Sequence, residues 1–565
     1  MNGKQIFEAL RGIDAKYILD ADPTAKSPLR AWVKWGTLAA CLCLVAAAIL
    51  GAVFWQRMDE SPNGASPLHT HVFGEWTTTK EASCSEMGEQ TRLCTCGERE
   101  TQPIALLPHF AGAWVIEKEP TIKLPTPSDP SEREAGVMCQ FCSHCGAKLG
   151  EELIPATGSL GLAYAVNPDG KTFMVAGIGN CTDEEIIVPE NFCGYHVTTI
   201  GDGAFMNCKT VKSVTLPDTI TAIGNQAFAF CQELVSIALP EGLLQIGEQA
   251  FWYCQTLESI SVPQSVINIG KSAFEGCYEL KNIILPDSLK KIEDGLFASC
   301  LNLKTISLPE GLESIGDFAF ENCTSLQEIV IPQSVTAIGK RAFSECRSLT
   351  EIVLPPLVQR IEEYTFSDCF RLENVILPQN VMRIERGAFY QCLALTKIEI
   401  PTGVIEIGLS AFINCQNLES VVLPEGLEVI EELAFMNCEK LNEIHIPDSV
   451  RWVGRSAFDG CDALIQVENG VGYVGNWAIA AEKDLDEIAV REGTVGIADS
   501  AFYTHGEYIR VTLPSTLKYI NKYAFASARY LETILFAGSE TEWESIEKAA
   551  DWAEGSKQFE ILFTH

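Results

Sequence analysis

The sequence predicts a repeat solenoid, a coil of short strands wound around one continuous core, and three in-phase series carry that expectation. Cysteine falls at Cys208, Cys231, Cys254, Cys277, Cys300, Cys323, Cys346, Cys369, Cys392, Cys415, Cys438 and Cys461, always 23 residues apart. Proline keeps the same step from Pro217 through Pro240 to Pro447. An Ala-Phe pair keeps it as well, at Ala227-Phe228, Ala250-Phe251 and Ala273-Phe274. A fixed period of this length marks a unit that cannot bury its apolar face alone and must stack on copies of itself.

One copy reads Leu234-x-x-Ile237-x-Leu239-Pro240-x-x-Leu243-x-x-Ile246-Gly247-x-x-Ala250-Phe251-x-x-Cys254. Ile237 and Leu239 alternate with Ser236 and Ala238, the period of a strand with one buried face. Pro240 ends that strand, because proline offers no donor to a ladder. Leu243 and Ile246 turn inward again, and Ala250, Phe251 and Cys254 are expected on a short helical or 3₁₀ segment. About seven buried apolar side chains, each worth roughly 1.5–3 kcal/mol, stand against an ordering cost of roughly 1–2 kcal/mol per residue. A single copy therefore cannot fold, and a stack can. The cysteines sit where each turn needs a small buried group. Stacked strands lie about 4.8 Å apart, yet a ladder of thiols cannot all pair without distorting the stack, so they read as reduced core residues.

This unit resembles the BspA-like leucine-rich repeats of bacterial cell-surface proteins, and the likeness covers roughly residues 186–536. The resemblance implies a leucine-rich-repeat solenoid with a β-strand plus a short helical or 3₁₀ segment per turn. It also implies a surface adhesin or binding protein without catalytic activity.

The totals agree with a binding role. With 565 residues and 47% hydrophobic content, the chain has ample core for more than one domain. A formal net charge of −34 argues against nucleic acid or an anionic membrane surface as a partner. Only eight histidines occur, and three of them (His196, His445 and His505) lie in the repeats. No phosphate loop, nucleophile elbow, His-Glu-x-x-His or dinucleotide fingerprint is found. The reading is not an enzyme, with no catalytic residues.

In chain order, residues 1–31 form a cytoplasmic head. Ile6, Phe7, Leu10, Ile13, Tyr17 and Ile18 recur at near-helical spacing, as in an amphipathic helix that lies on a membrane or docks a cytoplasmic protein partner. Residues 32–57 are expected as a transmembrane helix, since Trp35 to Trp55 carries no charge and is long enough to cross a bilayer. Arg11, Lys16, Lys26, Arg30 and Lys34 precede it, while Asp59 and Glu60 follow. The positive-inside rule then gives a single-pass protein of the cell membrane, N-terminus cytoplasmic and repeats extracellular.

Residues 58–158 form an extracytoplasmic Cys/His-motif region with a linker at Pro120–Pro130. A motif occurs twice there. The first copy is His71-x-x-Gly74-x-Trp76 … Cys84 … Cys94-x-Cys96-Gly97, and the second is His109-x-x-Gly112-x-Trp114 … Cys142-x-x-Cys145-Gly146. It resembles small His-and-Cys modules found beside repeats in bacterial surface proteins. By spacing, Ile122 stands where Cys84 stands in the first copy, so the second ligand set reads as incomplete. His71, Cys84, Cys94, Cys96, His109, Cys142 and Cys145 are candidate ligands for a structural zinc within residues 66–150; disulfides would serve the same end.

The solenoid is placed at residues 159–536 and a C-terminal cap at 537–565. Pro189 to Pro217 spans 28 residues, an irregular first turn, and another irregular turn falls between Phe458 and Phe502. The outward positions two residues before each proline are apolar in mid-coil. Ile284, Val330, Val353, Ile376 and Val422 make a candidate ligand-binding row; alternatively, β-branched residues simply suit strands. Beside it runs a polar column, Ser236, Asn282, Glu328, Glu351 and Lys397 among its members. The function expected is membrane-anchored binding or adhesion to an extracellular protein or glycan. The alternative is a transmembrane sensor whose head signals to a partner such as a sigma factor.

Overall fold

The computed structural model describes residues 71–109, 111–118, 120–122, 133–134, 136–154, 157–482, 485–503 and 508–564. The expected head (1–31) and transmembrane helix (32–57) lie outside the described residues, as does His505. Among the described residues no helix is long and apolar enough to cross a membrane. The chain divides into two compact units, Met1–Val115 with Cys139–Glu151, and Ile116–Met138 with Glu152–His565.

The second unit is the leucine-rich-repeat solenoid, and each copy contributes two short strands. In one ladder Ser213, Val214 and Thr215 lie opposite Ser236, Ile237 and Ala238. In the other, Ala222 and Ile223 lie opposite Gln245 and Ile246, which in turn face Asn268 and Ile269. All these pairings are parallel and advance by one copy, so each apolar position stacks on itself. Gly247 marks a tight contact between copies: a Cβ there would lie 2.5 Å from the carbonyl carbon of Gly224.

The helical or 3₁₀ segment expected at Ala250–Cys254 is corrected to a pair of linked turns. Trp252 N–H donates to the Gln249 carbonyl at 3.0 Å, and Cys254 N–H donates to Phe251 at 3.1 Å. The intervening N–H groups of Gln249, Phe251 and Tyr253 leave the copy and donate to Lys271, Ala273 and Glu275 of the next, each at 2.8 Å. Gln249 and Tyr253 both have φ of 55°, and a residue in the left-handed region stops a helix. These turns therefore add a third hydrogen-bonded line between copies.

The core is continuous from Ile122 to Ile546. The Ala-Phe phenylalanines from Phe205 to Phe458, with Phe297 and Phe366 in copies that have lost the alanine, stack in near-parallel fashion with centroids 5.1 to 5.9 Å apart. That offset-stacked spacing lies within the favourable range for aromatic pairs. The ladder cysteines from Cys231 to Cys461 are buried and unpaired by disulfide.

Both irregular regions have a structural cause. At the start, the hairpin of Ala163–Val166 and Phe173–Gly177 pairs with Tyr195–Ile200, and Thr121–Ile122 pairs with Asn191–Phe192. Near the end, strands Gln466–Glu468, Val471–Val474 and Trp477–Ala481 form an antiparallel meander that replaces a regular turn and buries Tyr473 and Trp477. The meander interrupts the second ladder after Trp452–Val453. Asn521 repairs the break with its side chain: Val453 N–H donates to Asn521 Oδ1 at 2.9 Å, and Asn521 Nδ2 donates to the Arg451 carbonyl at 3.0 Å. Past Phe536 the repeat pattern ends but the coil continues. Glu547–Lys548 pairs with Tyr519–Ile520, and Glu560–Phe563 pairs with Thr533–Phe536. The helix Glu540–Ser545 between them begins in a Ser539/Glu542 capping box.

Candidate functional site

The first ladder decides which face meets solvent. Inward residues such as Ile329, Ile352, Ile398 and Val421 are buried, while their neighbours toward the proline are exposed. Ile284, Val330, Val353, Ile376 and Val422 all point outward, with exposure from 51% at Val353 to 82% at Val330. Ser307 and Glu399 stand exposed in the same column and interrupt it. The register is direct: Val353 lies opposite Ile376, and Glu399 opposite Val422.

The row runs into a shallow groove of about 650 Å³ whose lining includes Ile376, Val422, Glu351, Lys397 and Glu399. Its apolar floor is thus bordered by charges of both signs. Backbone groups along this face are used between copies, as with Leu354 N–H to the Ile376 carbonyl and Ile400 N–H to Val422, each at 3.0 Å. The acidic positions Glu328 and Glu351 are exposed at the same strand position of successive copies, and their recurrence at the repeat period marks them as solvated strand positions.

In the first unit, strands Thr77–Lys80, Gly88–Leu93 and Arg99–Ile104 form an antiparallel sheet. The aromatic positions after His71 have a packing role there. The Arg92 guanidinium lies 4.8 Å from the Phe73 ring centroid and 4.6 Å from that of Trp76, and it pairs with Glu100. Each copy of the motif then closes a turn on its glycine, reaching back three residues in the first copy and four in the second. Gly97 N–H donates to the Cys94 carbonyl at 2.8 Å, and Gly146 N–H donates to Cys142 at 2.9 Å. Both glycines have left-handed φ, 90° and 72°, which explains their place after the last cysteine.

These turns gather two sets of ligand-type atoms. Cys84, His109, Cys142 and Cys145 form one, and His71, Cys94 and Cys96 form the other, with the donor atoms of each set within 4.8 Å of one another. The pairing by copy is thereby corrected. Cys84 lies with the second set, so it is the first set that has three members. Spacing alone suggested the reverse, because it matched Cys84 to its own copy. Ile122, at the corresponding position of the second copy, instead lies in the solenoid core at 3% exposure. Hydrogen bonding to Cys145 and burial push the Cys84 thiol up to about 11. Hydrogen bonds from Cys96 hold the Cys94 thiol down at about 6.

A family model described as BspA type Leucine rich repeat region matches six overlapping stretches, 180–300, 245–369, 290–419, 336–465, 406–532 and 463–550. No curated protein matches the chain. Among solved structures, a leucine-rich repeat protein from Bacteroides ovatus is 24% identical with a TM-score of 0.45, the match covering 71% of this chain and 98% of that one. A leucine rich cell surface protein from Faecalibacterium prausnitzii is 26% identical with a TM-score of 0.39, covering 69% and 97%. The leucine rich repeat protein of T. pallidum is 31% identical with a TM-score of 0.33, covering 34% and 90%.

Proposed function

Because the chain belongs to the BspA type leucine-rich repeat family, we propose that its solenoid is a binding scaffold that takes a protein ligand on the outward face of the first ladder. The observation that carries this reading is the exposed row Ile284, Val330, Val353, Ile376 and Val422 over a fully buried core. A single exposed β-branched side chain is ordinary on a strand, but Val330, Val353 and Ile376 stand exposed on three successive copies, an apolar run of the kind that marks a binding surface. From Ile284 to Val422 the stripe is roughly 29 Å long at about 4.8 Å per strand. The apolar groove with Lys397 and the glutamates at its border suits a partner with an apolar core and a charged rim, the usual anatomy of a protein interface.

In the same reading the scaffold stands on the outside of a cell, held by the apolar run Trp35–Trp55 with the N-terminus inside. The test is capture of purified repeats on an array of extracellular matrix proteins, glycans and cell-wall polymers. Saturable capture by proteins is expected. Capture by glycans alone would reassign the ligand class.

A further inference from the structure

We propose that Cys84, His109, Cys142 and Cys145 form a tetrahedral site for one structural zinc ion, in which the first copy of the doubled motif supplies a ligand to the second. The distances are those of a tetrahedron's edges. Cys84 Sγ lies 3.7 Å from Cys142 Sγ, and Cys145 Sγ lies 3.4 Å from His109 Nδ1. With Zn–S near 2.3 Å and Zn–N near 2.0–2.1 Å, the edges of a regular tetrahedron come to roughly 3.8 Å between sulfurs and roughly 3.6 Å between sulfur and nitrogen. Four soft or borderline ligands with no open position are the composition of a structural site rather than a catalytic one.

The arrangement around the ligands fits a staple. Cys142 and Cys145 sit on a tight turn closed by Cys142 N–H to the Ala147 carbonyl at 2.8 Å and by Gly146 N–H to Cys142. Cys84 reaches them from the loop between the strands Thr77–Lys80 and Gly88–Leu93, more than fifty positions earlier in the chain. Among the described residues of this unit few apolar side chains are buried, and a small unit with little core gains its stability from such cross-links. A metal here would tie the two copies of the motif into one body.

Handing a cysteine forward also accounts for the two irregularities of the motif. The first set, His71 with Cys94 and Cys96, has no earlier copy to receive a fourth ligand from. Its His71 Nδ1 faces Cys96 Sγ at 3.2 Å, and His71 Nε2 is held by Glu98 at 2.9 Å. The second copy has no later copy to serve, and its forward position is Ile122, a core residue of the solenoid. Among the described residues one four-ligand set and one three-ligand set follow, so the zinc affinities of the two sets are unequal.

The test uses the full chain, purified reduced and without chelator, with zinc counted after dialysis against a weak competing chelator. The expected result is one retained zinc per chain. Cys84→Ser should lower it to near zero, whereas Cys96→Ser should leave it unchanged. Cobalt exchanged into the unmodified protein should give the intense visible bands of tetrahedral thiolate coordination, a readout that does not depend on how any variant folds. Retention of zinc by Cys84→Ser, loss of it in Cys96→Ser, or octahedral-type weak cobalt bands would each overturn the assignment. So would a metal-free protein in which alkylation and mass analysis find Cys84 and Cys142 joined as a disulfide.

Discussion

The thiol of Cys254 donates to the backbone carbonyl of Phe228 at 3.1 Å, one copy back along the coil. The same bond recurs from Cys231 to Phe205 through Cys461 to Phe435, always 26 residues apart and 3.1 to 3.3 Å long. The Phe228 carbonyl already accepts from Cys231 N–H at 3.0 Å, so the thiol fills its second lone pair. A weak donor on a small apolar side chain meets both needs of a dry turn. Alanine would fill less space and leave that lone pair bare; serine would bring a more strongly hydrated group into the same place.

Replacing one mid-ladder thiol, Cys300→Ala, is therefore expected to cost about 1–2 kcal/mol, the sum of a small cavity and a lost weak bond. Chemical denaturation of the two proteins checks it. A neutral substitution would mean that the thiol bond and the packing at Cys300 contribute nothing.

The ladder also makes stability depend on alkaline pH. Burial pushes Cys231 and Cys323 up to about 12 and raises the ladder thiols from Cys254 to Cys392 whose shifts are resolved, while hydrogen bonding to Cys461 and then burial raise Cys438. Below the unfolded thiol pKa, near 8.5, both states hold the proton and the contribution is complete. Above it the unfolded chain ionises first, so stability falls as pH climbs from about 9 toward 12, by up to roughly 1.4 kcal/mol per pH unit for each thiol. Thermal unfolding between pH 7 and 11 reads this directly. A flat profile above pH 9 would show that the ladder is open to water.

Much of this was legible in the residues, because translation along the coil writes each buried position into every copy. Ile237, Leu243, Ile246, Phe251 and Cys254 are all buried as the alternation implied. The turns were not legible. Gln249, Tyr253 and Phe318 are not residue types that announce a left-handed backbone; the hints come from other copies, Gly295 and Gly387 in the slot of Gln249 and Phe318, and Gly276 and Asn322 in that of Tyr253. The forward placement of Cys84 was hidden for a different reason: spacing reports which residues share a copy, whereas a ligand set is decided by which loops meet.

The left-handed slot yields a stabilising change. Phe318 has φ of 58° and is 41% exposed, while Gly295 fills the slot one copy earlier with φ of 63°. A non-glycine residue there costs roughly 1–2 kcal/mol, and glycine's extra freedom when unfolded returns about 0.5–1 kcal/mol of that. Phe318→Gly is expected to raise stability by about 0.5–1 kcal/mol, measured by denaturant titration. A loss of stability would mean that the ring makes contacts worth more than the strain.

Asn521 is expected to be the most costly polar side chain to remove near the end of the coil. Truncation by Asn521→Ala leaves Val453 N–H and the Arg451 carbonyl without their partner, a loss of about 1–3 kcal/mol. Hydrogen exchange should show faster opening at Val453 in particular. Unchanged protection at that amide would place the repair of the ladder elsewhere.

The binding face is tested most directly by changing Val330, Val353 and Ile376 together to threonine, and comparing ligand capture with thermal stability in one preparation. Threonine keeps the β-branched shape while removing apolar surface. The three side chains are exposed, whereas the inward neighbour Ile352 is buried and offers the control: Ile352→Thr alone should destabilise the coil strongly. The expected result for the triple variant is an unfolding temperature close to that of the parent protein together with at least a tenfold loss of protein capture. Undiminished capture by a stable triple variant would contradict the assignment of this face as the ligand surface.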